Sequence, residues 1–179
     1  MMDKTRPYHV TEHMVTNIGR FHVVCDTIEI NDCKYPYSYL SGGSYVVLLP
    51  LYRGQVVYIH QYRHALNEWL DELPGGSINK GETPEKAAER ELLEETGLSG
   101  EMVKLCEFPG SQGTSAEMCY IYVAFCNKKS APQVEPTELI EIREAAENEF
   151  GRMVEQGKIR HLTAIVAWYY YQLRKGVDV

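Results

Sequence analysis

The sequence predicts a mixed α+β protein. Strand-like apolar segments outnumber helical ones, a single helix interrupts them, and two further helical stretches follow near the end. At 179 residues the chain suits one domain and can bury a sizeable core. We expect an N-terminal antiparallel β extension, 1–43, and a main domain, 44–179. With 44% hydrophobic and 24% charged residues, the composition excludes disordered, collagen-like and low-complexity classes.

Residues 15–40 alternate weakly and are rich in Val, Ile, Tyr and Phe, with breaks expected at Asn31-Asp32 and Tyr35-Pro36. They read as two or three strands of a meander. Ser41-Gly42-Gly43 is a hinge or turn. Tyr45–Leu49 and Gln55–Tyr62 are expected strands joined by a hairpin at Tyr52-Arg53-Gly54. Trp69–Leu73 is a short strand running into the turn Pro74-Gly75-Gly76, with a core role preferred for Trp69. A helix then starts with Thr83 as N-cap and Pro84 at its first position, and stops at Thr96 before Gly97. Met102–Phe108 and Met118–Cys126 read as strands. In the second, Cys119, Ile121, Val123 and Phe125 share one face, and Tyr120 and Tyr122 the other. A polar loop over 127–137 leads to a short strand near Leu139–Ile142. Helices over 143–156 and 161–174 close the chain.

Eighteen basic against 25 acidic residues give a net charge of -7, and no basic run supplies phosphate contacts, so nucleic acid is not an expected partner. The most apolar stretch, Leu162 to Leu173, is too short to span a bilayer. The opening residues MMDKTRPYHVTEHM lack the apolar core of a signal peptide. Five cysteines without a CxxC pair read as reduced thiols in a cytoplasmic protein, with Cys119 and Cys126 buried.

The chemistry is concentrated on the first helix. Glu91, Glu94 and Glu95 fall on one arc at i, i+3 and i+4, beside Ala87 and Ala88. Like charges at that spacing each cost about 0.2–0.5 kcal/mol in an isolated helix. A solvated acidic face is the bland explanation. A hard divalent cation explains more, because it cancels the repulsion and keeps positions open for substrate phosphates. Pro74-Gly75-Gly76 lets backbone approach a ligand closely. No His or Cys cluster has zinc spacing, so the ligands should be oxygens.

Gly76 to Leu98, GSINKGETPEKAAERELLEETGL, resembles a complete Nudix box. The pattern G-x5-E-x7-R-E-U-x-E-E-x-G-U is met by Gly76, Glu82, Arg90, Glu91, Leu92, Glu94, Glu95, Gly97 and Leu98. By residue frequencies an accidental match is roughly a one-in-a-million event. The resemblance implies the Nudix α/β/α sandwich with a mixed sheet. It also implies metal-assisted attack of water on the pyrophosphate of a nucleoside diphosphate linked to another group, with Mg²⁺ (or Mn²⁺) as cofactor.

Carried onto this chain, Glu91 and Glu95 become the main metal ligands with the Gly75 carbonyl. Glu94 becomes a further ligand or a partner to a metal-bound water. Arg90 would orient a glutamate, and Glu82 would tie loop to helix. Val46 to Gly76 resembles the ADP-ribose pyrophosphatase branch, which puts Arg63 of Gln61-Tyr62-Arg63 on the substrate. Glu72 becomes a ligand, a ribose contact or a plain strand carboxylate, and Gly76 lies against the substrate. Pro109 to Glu117 resembles that branch's Pro-Gly…Ser-x-Glu loop, although Pro109 follows Leu98 more closely than in ADP-ribose enzymes.

A base outside the helix is implied. Glu138 is preferred, with Glu135, Glu117 and Glu94 as alternatives. ADP-ribose, giving AMP and ribose 5-phosphate, leads; another nucleotide sugar such as GDP-mannose, or a non-hydrolytic ADP-ribose sensor, are the alternatives. The branch exchanges its N-terminal sheet between subunits, which implies a homodimer here. The histidines, His161 included, point to nothing.

Overall fold

A computed structural model of the chain describes residues 6–175. Its contacts divide into two compact units: the residues up to Gly43 together with Pro109–Met118, and Ser44–Phe108 together with the chain from Cys119 onward.

The first unit is an antiparallel sheet of β1 (His9–Ile18), β2 (Phe21–Ile30) and β3 (Cys33–Leu40), in that order. Asn31 and Asp32 join β2 to β3 with φ of 52° and 60°, the left-handed pair that a two-residue hairpin loop requires and that these side chains tolerate. The expected break at Tyr35-Pro36 is absent. Pro36 lies inside β3 opposite Thr27. Because β3 ends the order of its sheet, a residue without N–H is accommodated there. Leu40 is held by the 109–118 segment, donating to Thr114 O at 2.8 Å and accepting from Ala116 N at 3.0 Å.

The second unit is a sandwich around a seven-stranded mixed sheet. Its strands are β4 (Tyr45–Tyr52), β5 (Gln55–Arg63), β6 (Glu68–Glu72), β7 (Gly75–Ser77), β8 (Leu98–Pro109), β9 (Met118–Lys129) and β10 (Ile140–Ala146). The order is β10-β5-β4-β9-β8, with β6 on β5 and β7 on β4. β4 and β9 run parallel, whereas β10, β4 and β6 each meet β5 antiparallel.

On one face lies α1 (Pro84–Thr96), which buries Ala87, Ala88 and Leu92 against Val46, Leu48, Val57, Tyr122 and Ala124. On the other lie α2 (Glu147–Glu155) and α3 (Leu162–Lys175), which bury Phe150, Val154, Ala164, Ala167 and Trp168 against Val47, Leu49, Val56, Ile121 and Val123. β4 therefore reads as a near-continuous apolar run, since both its faces are covered.

Three further expectations change. Residues 143–146 extend β10 instead of opening a helix, because Arg143 to Ala146 stay in register with Tyr58 to Gln55. Trp69 is 41% exposed, not core, and stacks on the His60 ring at 5.1 Å. Pro74-Gly75-Gly76 is not a sharp turn. Gly75 and Gly76 continue as β7 opposite Val47 and Val46. Among the described residues no helix is long and apolar enough to cross a membrane.

Candidate active site

The site begins where β4 and β5 part. Their pairing is confined to Leu51 and Tyr52, opposite Val56 and Gln55, and the opposite end of β4 accepts β7 instead. Between these, Leu48 N donates to Pro74 O at 2.9 Å. The segment 73–76 is thereby threaded into the sheet directly beneath α1. Its glycines serve close approach. A Cβ on Gly75 would stand 2.2 Å from Val46 O, and one on Gly76 would stand 2.3 Å from the Glu91 carboxylate.

α1 is set by its ends. Thr83 Oγ1 accepts from Lys86 N at 3.3 Å, Pro84 follows, and Gly97 closes the helix at φ 71° while its N–H donates to Leu93 O. Gly97 cannot carry a side chain: besides its left-handed φ, a Cβ would meet Ser130 O at 2.2 Å.

Arg90 organises the helix's acidic face. Its Nε and Nη2 bracket the Glu82 carboxylate, both at 3.0 Å. Nη1 donates to Glu91 at 2.7 Å and to Glu94 at 3.0 Å, and Nη2 also reaches Ser77 O at 2.9 Å. Glu82 additionally accepts from Asn79 N at 3.0 Å, which ties the connecting loop to α1. Glu95 turns inward. It is 2% exposed and accepts the Gly75 N–H at 2.7 Å. Burial pushes its carboxyl up to about 8; the Gly75 N–H opposes this, Glu91 and Glu138 add to it, and Arg63 opposes it. Glu91 is likewise held above its ordinary range by burial, against the pull of Arg90, with Glu94 and Glu138 adding repulsion.

Arg63 and Glu72 form a bidentate pair at 2.9 and 2.6 Å, with Glu72 buried and Arg63 45% exposed. Two of the guanidinium nitrogens, Nε and Nη2, are committed to Glu72. Glu138 sits on a loop anchored at both ends. Ser130 N donates to Gly97 O and Gln133 N to Glu94 O at its start, and Tyr62 N donates to Leu139 O at its finish. Burial raises the Glu138 carboxyl, Glu135 adds to this, Arg63 opposes it, and Glu94 contributes further repulsion. Glu138 thus shares one electrostatic neighbourhood with Arg63, Glu91, Glu94 and Glu95. Glu117 belongs to the other compact unit, where its side chain fills the space beside Gly42.

The donor set has the chemistry of a hard-cation site. Glu72, Glu82, Glu91, Glu94, Glu95 and Glu138 stand against Arg63 and Arg90, and burial already strains the ionised state of Glu91 and Glu95. Among the described residues, however, no three acidic, His or Cys side chains converge on one point. Arg90 draws Glu91 and Glu94 to itself, and the Gly75 N–H draws Glu95.

One participant was invisible in the sequence. His161, at the start of α3, accepts the Leu73 N–H on Nδ1 at 3.3 Å and meets Thr163 Oγ1 through Nε2 at 2.7 Å. Its Nε2 stands 3.9 Å from Glu72. Leu73 and His161 are 88 positions apart, so no local pattern joins them.

A NUDIX domain family model matches residues 44–165. The chain is 30% identical over 160 residues to a protein named Methanol dehydrogenase activator from Bacillus methanolicus, covering 84% of this chain and 86% of that one. It is 28% identical to an ADP-ribose pyrophosphatase of Bacillus subtilis, over 76% of this chain and 75% of that one. With an ADP-ribose pyrophosphatase of Escherichia coli (strain K12) it shares 32% identity, over 73% and 68%. A crystal structure titled as an ADP compounds hydrolase superposes with a TM-score of 0.83 at 18% identity, over 98% of both chains, which shows the shared fold. The chain belongs to the NUDIX domain family and is a Nudix hydrolase.

Proposed function

We propose that this protein hydrolyses the pyrophosphate bond of a nucleoside diphosphate sugar with Mg²⁺, and that ADP-ribose, giving AMP and ribose 5-phosphate, is its leading substrate. The observation that carries this reading is Glu95, a buried carboxylate of α1 pinned on the Gly75 N–H, with Glu91 and Glu138 near enough to add to the rise in its pKa. Relatives at about 30% identity named ADP-ribose pyrophosphatase support the substrate.

Glu91, Glu95 and the Gly75 carbonyl would hold the cation, with Glu94 as a further oxygen donor. When bound, Mg²⁺ supplies Lewis acidity and neutralises charge on the phosphates. Arg90 keeps Glu91 and Glu94 oriented between turnovers. Arg63, braced by Glu72 and half exposed, would meet a substrate phosphate, and Gly76 leaves room for backbone to lie against it. Glu138 takes the proton from the attacking water as a new P–O bond forms and the bridging P–O bond breaks.

The test is product release from ADP-ribose, GDP-mannose, ADP-glucose, NADH and diadenosine polyphosphates, with Mg²⁺ and with EDTA. Metal-dependent conversion of ADP-ribose to AMP is the expected result. Preference for GDP-mannose would keep the chemistry and discard this substrate. Tight ADP-ribose binding without turnover of any compound would make the protein a sensor.

We also propose a homodimer formed through the N-terminal sheet. That sheet exposes Met14, Val15, Ile18, Phe21 and Tyr35, each between 47% and 61%, apolar surface of the kind that marks an interaction site. Sedimentation equilibrium should give twice the chain mass, 20.5 kDa. A monomer at micromolar concentration would overturn the assignment. We further propose a cytoplasmic setting, in which five cysteines without a CxxC pair would stay reduced.

A further inference from the structure

We propose that His161 is a positioning residue of the active site: through the Leu73 N–H it fixes the segment that presents Gly75 to the metal-binding glutamates. The proposal rests on the hydrolase reading above for its kinetic consequences, but not for its structural ones.

Segment 73–75 has few backbone groups with which to hold itself in place, because Pro74 has no N–H. Three of its groups are taken by three different elements. Leu73 N–H goes to His161 at the start of α3, Pro74 C=O goes to Leu48 on β4, and Gly75 N–H goes to Glu95 on α1. Leu73 itself is 2% exposed, so its N–H finds no water to replace a lost partner. Among these three anchors only His161 is a side chain outside the acidic helix.

His161 is itself placed. Its carbonyl accepts from Ala164 N and Ile165 N at 3.0 and 3.1 Å, which makes it the residue that opens α3. Because Nδ1 accepts from Leu73, the ring proton resides on Nε2, which donates to Thr163 Oγ1. Burial lowers the imidazole pKa, the adjacent Glu72 opposes this and Arg63 adds to it, so the neutral acceptor form is retained. The helix on one face of the sheet is thereby coupled to the glycine that meets the acidic helix on the other.

The experiment compares His161→Ala and His161→Asn with the unmodified protein; the Asn amide oxygen can replace Nδ1 as acceptor for Leu73. Amide hydrogen exchange of Leu73 and Gly75 is measured in the metal-free protein, Mn²⁺ binding by titration, and turnover with ADP-ribose. For His161→Ala, exchange at both amides should accelerate by about tenfold or more. Mn²⁺ affinity should fall severalfold, and kcat should drop by about tenfold with KM within roughly twofold. His161→Asn should recover most of each loss.

Faster exchange at Leu73 alone, with Gly75 exchange and Mn²⁺ binding unchanged, would overturn the proposal. So would an Asn variant as impaired as Ala in every readout, since that defines a purely structural histidine. If the unmodified protein turns over no nucleotide sugar, the function reading fails while exchange and Mn²⁺ binding still decide this one.

Discussion

Glu95→Gln is expected to lower turnover by about 10³-fold or more, the scale on which a lost metal ligand removes several kcal/mol of transition-state stabilisation. The same substitution should make the metal-free protein more stable. The Glu95 carboxyl titrates near 8 in the folded chain against about 4.5 when unfolded. Between those values the folded state holds a proton that the unfolded state has released, so stability falls as pH rises from about 4.5 and the loss is complete above about 8. An amide pays none of this, and its oxygen still accepts the Gly75 N–H.

The variant's advantage should therefore be small at pH 5 and grow to the order of a few kcal/mol at pH 8. Urea denaturation in EDTA at the two pH values measures it. Near-normal turnover would remove Glu95 from the metal set, and a pH-independent difference would show that burial does not strain this carboxylate.

The coupling of lost activity to gained stability is what a site built to hold a cation should show. Glu91, Glu94 and Glu95 lie within one turn of a helix whose neighbours are alanines, a layout that local propensity alone would not select. Arg90 offsets part of the cost by bridging Glu82, Glu91 and Glu94. It does not reach Glu95, whose hydrogen-bond donor among the described residues is the Gly75 backbone amide.

What was legible in the sequence follows from how local each feature is. α1 begins and ends where Thr83, Pro84 and Gly97 place its caps, because capping is decided within a few residues. The acidic arc was readable for the same reason, since helical periodicity alone puts its members on one face. Pro36 was misread because a proline's tolerance depends on whether its strand lies at a sheet edge, which is a property of pairing. Gly75 and Gly76 were misread as a turn because sequence reveals that a side chain is missing, not whether φ or proximity required its absence. Arg63 and Glu72 could each be singled out, but their bidentate pairing depends on how β5 and β6 meet. His161 was silent because its partner lies on the far side of the sequence.

Glu138→Gln is the sharpest probe of the base. It should reduce turnover by about 10²–10³-fold, the range for loss of a positioned general base. The Mg²⁺ concentration needed for half-maximal activity should hardly change. Two features of the loop support this division. Its ends are stapled to α1 through Glu94 and Gly97 and to β5 through Tyr62, so Glu138 is carried on a short tether and not on a free strap. The Glu138 carboxyl also sits above its ordinary range, raised by burial and by Glu135 while Arg63 opposes, which brings it closer to the pH at which a base must both exist ionised and accept a proton. In the amide variant the shape and the tether are kept and only the proton acceptor is gone. A rise in the Mg²⁺ requirement equal to the loss in turnover would instead make Glu138 a metal ligand. If neither quantity moved, the proton would have to go to Glu94, and the same amide substitution there would test it.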